Sequence, residues 1–300
     1  MVPLILPLLI PLVGAMVLFT WHAERSRPAS LVPVALLHLV ATIYALADGG
    51  TPDGERWLVL DPPGRIVLLL VSLLFAVCSV YTIGYLRIRT ERPNRVLCTC
   101  LALFAGMMSF IALAGHLGLM WVAIEATTLA SGPLVYFNRN ARSLEATWKY
   151  LMVGSVGIAL ALLGSLFLGY SAALAGRESS LLFSDLAYHA GGFSKPWLHA
   201  GFVLLVVGYG TKMGLAPMHT WKPDAYGEAP GLVGALLAGG VATLVGVAIA
   251  GNGSDSDNGL TPATAKKSIS AGKALLRTGF PDWLVLKCGD TFTDDFGNFT

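Results

Sequence analysis

Hydrophobic residues make up 55% of the 300-residue chain and charged residues only 13%, whereas soluble domains carry about 25% charged residues. This composition excludes an ordinary soluble domain and predicts an all-α polytopic transmembrane helix bundle, with room for about eight spans of about 20 residues each. The net charge of +2 is too small to indicate nucleic-acid binding, so a lipid bilayer is the expected surrounding.

Apolar segments alternate with short polar loops along most of the chain, as expected for successive membrane spans. The sixth segment opens with a serine that is suited to cap a helix. The last segment follows the loop 219–231 and ends near residue 250. The other spans are expected at Val2–Trp21, Leu31–Ala47, Arg65–Leu86, Val96–Ala114, Leu119–Phe137, Ser143–Tyr170 and Trp197–Met218.

Basic residues are distributed unevenly between alternate loops, and cytoplasmic loops carry the excess of lysine and arginine. The loops after the odd spans hold Arg25, Arg27, Arg87, Arg89, Arg92, Arg95, Arg139, Arg142 and Lys222. The loops after the even spans hold only Arg56, Arg177 and Lys195. The odd loops are therefore expected in the cytoplasm and the N-terminus outside, in a bacterial or archaeal cytoplasmic membrane.

Two ionisable residues lie within apolar segments, where a charge is expensive and is retained for a partner, water or a task. Lys212 lies in the seventh span, which Gly214, Pro217 and Pro223 break shortly afterwards. Irregular backbone at membrane depth is tolerated where it lines a wet cavity or is covered by protein. Glu125 lies near the middle of the fifth span and is the natural partner of Lys212. The two residues predict a coupled proton site, with a static ion pair or a snorkelling lysine as the alternatives.

Two further residues have a functional and a structural interpretation. Lys149 follows Glu145 by one helical turn, which favours a surface ion pair, but it could equally face the bundle interior as a relay. His219 follows the broken span and could load protons, because histidine titrates near neutral pH. It could also be an interfacial anchor beside Trp221.

Motifs for catalysis and cofactor binding are lacking. The four cysteines, Cys78, Cys98, Cys100 and Cys288, have no metal-ligand spacing, and the sequence contains neither a nucleotide loop nor a nucleophile motif. No cofactor and no metal are expected on this chain, and any electron transfer is expected in other subunits.

Two segments closely resemble the antiporter-like membrane subunits of respiratory complex I and group 4 nickel-iron hydrogenases, in particular the hydrogenase-4 component F type. They read WVAIEATTLASGPLVYFNRNARSLEATWKYLMVGSVGIALALLG and VGYGTKMGLAPMHTWKPDAYGEAP. The resemblance implies a subunit that translocates protons, driven by redox chemistry in a separate peripheral arm, with other membrane and peripheral subunits as partners. It implies that Glu125 is the family's span-five glutamate, Lys149 the lysine of its EAxxKY pattern and Lys212 its proton-carrying lysine.

The resemblance also predicts how the chain is divided. Residues 1–95 are expected to form spans one to three, residues 96–250 an antiporter-like repeat, and residues 251–300 a polar, disordered or aberrant tail. Family members have two inverted repeats, so the chain is expected to contain the first repeat and a truncated or frameshifted end beyond about Val241. Two positions depart from the family pattern: Ala238 stands where a histidine or lysine is usual, and Lys222 where leucine is usual.

Two other functions remain open at this point. The chain could be a structural membrane anchor that moves no ion, or a subunit of an Mrp-type sodium/proton antiporter, which uses the same motifs. All three interpretations place the chain in a membrane complex without a redox centre of its own.

Overall fold

A computed structural model of the chain describes residues 2–48, 57–177 and 180–242. Within these ranges the structure is helical, and two isolated bridges are its only β pairings. Short 3-10 turns follow α5 and α7, and a π-helical turn, Leu237–Ala242, continues α10. The helices are α1 (Val2–Thr20), α2 (Arg27–Asp48), α3 (Pro62–Ile88), α4 (Asn94–Leu113), α5 (Leu117–Val135), α6 (Ala141–Leu174), α7 (Phe183–His189), α8 (Lys195–Met213), α9 (Trp221–Glu228) and α10 (Gly231–Leu236).

Six of the described helices, α1 to α6, are long and apolar enough to cross a membrane. The predicted seventh span corresponds to α8, which has 19 residues but carries Lys195, His199 and Lys212. The predicted eighth span begins at α10, and its expected continuation to Ala250 lies outside the described residues. The predicted all-α membrane bundle with a broken seventh span is confirmed.

Capping side chains define where the long helices begin. α6 begins earlier than the sequence pattern predicts, because Asn140 rather than Ser143 is its N-cap. The Asn140 side chain accepts from the Ser143 N–H at 2.6 Å, and Ser143 Oγ accepts from the Asn140 N–H at 3.0 Å. α3 likewise begins at Asp61, whose side chain accepts from the Gly64 N–H at 2.8 Å. These contacts satisfy amide groups that have no partner within the helix.

The loops after α1, α3, α5 and α9 are hydrogen-bonded to one another on one face of the bundle. Arg27, at the start of α2, donates to the Asn94 side chain at the start of α4. Arg92 donates to the Asn138 carbonyl at 2.9 Å, and the Asn138 side chain donates to the Glu228 carbonyl at 2.7 Å. The loops that carry the basic residues therefore lie on the same side, as the alternation of spans predicts.

The loops after α2, α4 and α6 meet on the opposite face. The Gly115 N–H donates to the Trp57 carbonyl at 2.8 Å, and the Leu117 N–H donates to the Leu181 carbonyl at 2.8 Å. His116 caps α5 by accepting from the Gly118 N–H at 3.1 Å, and its ring stacks on Trp57. Burial lowers the pKa of His116, which favours the neutral imidazole that this cap needs.

Glycines bring α6 and α8 into backbone contact. A Cβ built on Gly208 would lie 2.5 Å from the Gly157 carbonyl oxygen, and one on Gly164 would lie 2.8 Å from the Gly201 carbonyl oxygen. The paired positions rise along α6 as they fall along α8, so the two helices run antiparallel. Small residues of this kind allow membrane helices to pack closely. The contact fixes the position of α8, whose last turn carries Lys212.

All described residues belong to one compact unit, Met1–Val245. The predicted divisions at residues 95 and 250 remain predictions. The predicted tail, residues 251–300, lies outside the described residues.

We expect Gly208→Ala to destabilise the protein by about 1–3 kcal/mol, because the added methyl group forces two helix backbones apart. Thermal unfolding of the purified protein in detergent measures the effect. Gly84→Ala is the matched control, since Gly84 lies within α3 and a Cβ there meets no atom within 4 Å. Equal unfolding temperatures for the two variants would show that α6 and α8 do not need this contact.

Candidate functional site

The broken seventh span places a lysine at the buried end of a helix. Lys212 is the penultimate residue of α8, whereas the sequence pattern predicts a span that continues to Met218. α8 ends because Gly214 adopts a left-handed conformation with φ 81°, which glycine tolerates because it has no Cβ. The Leu215 N–H then donates to the Gly210 carbonyl at 2.8 Å and closes the helix end.

The Lys212 side chain nevertheless points into the bundle and is only 2% exposed. Its Nζ donates to Thr128 Oγ1 on α5 at 2.7 Å and to the Tyr150 hydroxyl on α6 at 2.8 Å. Nζ also lies 4.5 Å from the centroid of the Tyr150 ring, which is within cation–π distance. The ammonium is therefore held between α5 and α6 and does not extend toward the headgroups.

A third hydroxyl supports the tyrosine. Tyr150 is fully buried, and its hydroxyl lies 2.6 Å from Ser131 Oγ on α5. Ser131 in turn donates to the Thr127 carbonyl at 2.6 Å. Because an ammonium has donors only, the Tyr150 hydroxyl accepts from Lys212. Because the single Ser131 hydrogen is given to the Thr127 carbonyl, Tyr150 is assigned as the donor to Ser131. The hydrogen bonds run from the ammonium to a backbone carbonyl of α5.

Glu125 lies on the same face of α5 as Thr128, one helical turn earlier. It is half-buried. Its Oε1 accepts a long hydrogen bond of 3.4 Å from Ser155, and its buried Oε2 has no hydrogen-bond partner in the described part of the chain. The carboxyl acts on the Lys212 ammonium by Coulomb attraction, but none of the ion pairs among the described residues joins the two. The expected partners are therefore close without being in contact.

The end of α8 is itself favourable for a cation. Unpaired carbonyls at a helix C-terminus carry partial negative charge, which stabilises a nearby ammonium by about 0.3–1 kcal/mol and more when it is partly buried. Lys212 lies in this last turn. Lys222, on α9, donates from its Nζ to the Met213 carbonyl at 3.2 Å. The helix end thus holds one buried and one half-buried lysine.

Trp221 joins the broken helix to the rest of the site. It is 3% exposed, and its indole N–H donates to the Thr211 carbonyl at 2.9 Å. Its ring centroid lies 5.1 Å from that of Tyr150. The first residue of α9 therefore covers both the end of α8 and the tyrosine that contacts Lys212.

Lys149 precedes Tyr150 but points away from Lys212. Its side chain is 46% exposed, and its Nζ lies 2.7 Å from Glu145 Oε1 and 2.7 Å from Asp224 Oδ2 on α9. The surface ion pair that the Glu145 spacing favours is present, and Asp224 extends it to the broken segment. Lys149 thus links α6 to α9 at the surface.

His219 is exposed in the segment between α8 and α9. The structure brings Glu125 and Lys212 to one polar cluster, whereas Lys149 and His219 lie at the surface. In residues 2–48, 57–177 and 180–242, no group of three or more His, Cys, Asp or Glu side chains could hold a metal ion.

Sequence reasoning missed the two hydroxyls that contact the ammonium, those of Thr128 and Tyr150, and the Ser131 hydroxyl that bonds to Tyr150. Thr128 and Ser131 follow Glu125 at successive intervals of three residues, a spacing that places polar groups along one stripe of an otherwise apolar helix. That stripe was a usable signal. No sequence signal pointed to Tyr150 as a site residue, because a tyrosine in an apolar helix is as typical of helix packing as of a functional site.

Residues 114–253 match the family described as NADH:quinone oxidoreductase/Mrp antiporter, transmembrane. This range contains all four predicted site residues. The match confirms the predicted resemblance to antiporter-like membrane subunits.

Three named relatives are similar to much of the chain. The hydrogenase-4 component F homolog of Methylacidiphilum infernorum is 31% identical, over 77% of this chain and 50% of the relative. NADH-quinone oxidoreductase subunit N of Myxococcus xanthus is 30% identical, over 79% of this chain and 46% of the relative. F(420)H(2) dehydrogenase subunit N of Methanosarcina mazei is 37% identical, over 59% of this chain and 34% of the relative. The chain spans about half the length of the first two relatives and less of the third.

Solved structures share the fold. An archaeal membrane-bound sulfane sulfur reductase complex contains a chain that matches with a TM-score of 0.74 at 18% identity, covering 82% of this chain and 52% of that chain. Respiratory complex I from Thermus thermophilus matches with a TM-score of 0.66 at 24% identity, with the same coverage of both chains. The Mrp complex of Dietzia sp. contains a chain that matches with a TM-score of 0.68 at 19% identity, covering 83% of this chain and 48% of that chain.

The helical bundle and its broken seventh span, α8, define an integral membrane protein with the antiporter-like fold. Over residues 114–253, its sequence is similar to the family described as NADH:quinone oxidoreductase/Mrp antiporter, transmembrane.

We expect Trp221→Phe to destabilise the protein by about 0.5–1.5 kcal/mol, because the Thr211 carbonyl loses its indole donor and keeps only the Gly214 N–H at 3.2 Å. The unfolding temperature in detergent measures the change. Trp148→Phe is the matched control, since Trp148 lies on α6 and is 59% exposed. A control as unstable as Trp221→Phe would argue against a special role for the indole hydrogen bond.

Proposed function

We propose that the chain is a proton-translocating membrane subunit of a hydrogenase-type or complex I-type oxidoreductase complex. The observation that carries the proposal is the Lys212 ammonium, 2% exposed and held by hydroxyls at the end of a helix within the bundle. A buried amine with no carboxylate in contact can exist in both protonation states, since its surroundings do not demand a permanent charge. The named relatives, which are subunits of hydrogenase-4 and NADH-quinone oxidoreductase, support the same function.

The proposed path loads Lys212 from the side of the bundle that carries the basic loops. His219 and the ion-pair cluster of Lys149, Glu145 and Asp224 are exposed near the broken helix, and they exchange protons with water before Lys212 is reached. Glu125 tunes the proton affinity of Lys212 by Coulomb attraction across the polar cluster. The redox chemistry that drives the cycle belongs to other subunits.

The proposed setting is a bacterial or archaeal cytoplasmic membrane, with the N-terminus outside. The distribution of lysine and arginine supports this orientation, and the hydrogen bonds that join the basic loops on one face are consistent with it. The partners are the other membrane and peripheral subunits of the assembly, as the names of the relatives suggest.

Lys212→Met and Glu125→Gln in the complete complex are each expected to abolish proton pumping, because the first removes the amine and the second removes the charge that acts on it. Inverted membrane vesicles driven by the electron donor of the complex, with a pH-sensitive dye, measure the pumping. Lys195→Met is the control, since Lys195 is exposed at the other end of α8.

Retained pumping in both variants would overturn the assignment of proton translocation to this chain. The chain would then be interpreted as a structural membrane anchor. Pumping that requires sodium would instead favour an Mrp-type sodium/proton antiporter.

Lys149→Gln is expected to slow pumping without abolishing it, because Lys149 lies at the surface beside Asp224 and not against the Lys212 ammonium. Initial pumping rates across a range of pH values measure the effect. Arg142→Gln, also on an exposed position of α6, is the control. An unchanged rate in Lys149→Gln would restrict Lys149 to holding α6 and α9 together.

A further inference from the structure

We propose that Tyr150 is a positioning residue that holds the Lys212 ammonium in place of a direct carboxylate partner, and that Ser131 orients the Tyr150 hydroxyl. Thr128 accepts a hydrogen bond from the charged amine and can donate one to the neutral amine. The proposal rests on the proposed function and deepens it, because it names the groups that set the two states of the proton-carrying lysine.

The charged state is satisfied by the hydrogen bonds present. Nζ donates to Thr128 Oγ1 and to the Tyr150 hydroxyl at 2.7 and 2.8 Å. The single Tyr150 hydrogen is directed to Ser131 Oγ at 2.6 Å, and the Ser131 hydrogen to the Thr127 carbonyl at 2.6 Å. Each hydrogen points away from the ammonium, so each oxygen presents a lone pair where it is needed.

The neutral state needs a donor, because a neutral amine has a lone pair. Thr128 can become that donor, since its own bond to the Ile124 carbonyl is a longer one of 3.2 Å. Tyr150 can do so only by giving up its 2.6 Å bond to Ser131. The Tyr150–Ser131 hydrogen bond therefore favours the charged amine. Thr128 can donate to the neutral amine, which lowers the free energy needed to remove the proton from Lys212.

The hydroxyl chain is a support and does not conduct the proton. It ends at the Thr127 carbonyl, and an amide oxygen has no hydrogen to pass on. The proton of Lys212 must therefore leave along a different direction from the one Tyr150 occupies.

The charged groups around the site do not replace the hydroxyls. On α5, Glu125 acts on Lys212 without contact. On α9, Lys222 donates to the Met213 carbonyl and Asp224 pairs with Lys149. On α6, Lys149 itself faces outward. The atoms that touch the ammonium belong to neutral side chains.

The test follows the Nζ signal of Lys212 by nitrogen-15 magnetic resonance in lysine-labelled protein, within the complete complex in bilayers. The signal is identified by its absence in Lys212→Met. We expect Tyr150→Phe to lower the titration midpoint by about one pH unit, which corresponds to the loss of one charge-assisted hydrogen bond. We expect Ser131→Ala to lower it by a smaller amount, although Ser131 does not touch Lys212. The pH profile of pumping is expected to move in the same direction.

Tyr209→Phe and Ser165→Ala are the matched controls. Both residues are buried, at 4% and 1% exposure, and neither is bonded to Lys212. We expect both variants to leave the midpoint unchanged. If Tyr150→Phe does not fold, Ser131→Ala carries the test, because it removes one hydroxyl and leaves the ring in place.

An unchanged midpoint in folded Ser131→Ala and Tyr150→Phe overturns the positioning role, even if Lys212→Met still abolishes pumping. Continued pumping in Lys212→Met overturns the proposed function instead. In that case the titration of Nζ still decides whether Tyr150 and Ser131 control the amine, so the two failures are distinguishable.

Discussion

A buried ammonium needs oxygen atoms around it, and the arrangement of this bundle follows from how those oxygens are supplied. Lys212 obtains them from one hydroxyl on α5 and one on α6, so it ties together three helices. Hydroxyls differ from a carboxylate in that they can accept or donate. The site therefore tolerates both the charged and the neutral amine, whereas a direct ion pair would strongly favour the charged one.

The close approach of α6 and α8 makes this arrangement possible. Glycines at the crossing bring the two backbones together, and the last turn of α8 then lies beside Tyr150. The left-handed Gly214 ends the helix at Met213, so the partial negative charge of the helix C-terminus lies near Lys212. Trp221 closes the site from the far side of the break. Packing, helix termination and electrostatics thus act on the same residue.

Two groups of charged residues near the broken helix have different surroundings. Glu125 and Lys212 face the polar cluster within the bundle, and one carboxylate oxygen of Glu125 is buried without a hydrogen-bond partner among the residues that the structure describes. Lys149, Glu145 and Asp224 form an exposed cluster that joins α6 to α9. Water can reach the second group, whereas Lys212 in the first is only 2% exposed, a separation that suits a site loaded from the surface.

The sequence by itself determined the membrane class, the helical architecture, the broken span and the location of Glu125 and Lys212 within apolar segments. These features depend on apolar run length, on proline and glycine, and on the cost of a charge in an apolar segment, all of which are local properties of the chain. Only the tertiary structure decided that Lys149 faces outward, that Glu125 does not touch Lys212, and that Thr128 and Tyr150 contact the amine. Helical periodicity shows which residues share a face, but the rotation of each helix against its neighbours depends on packing between distant segments.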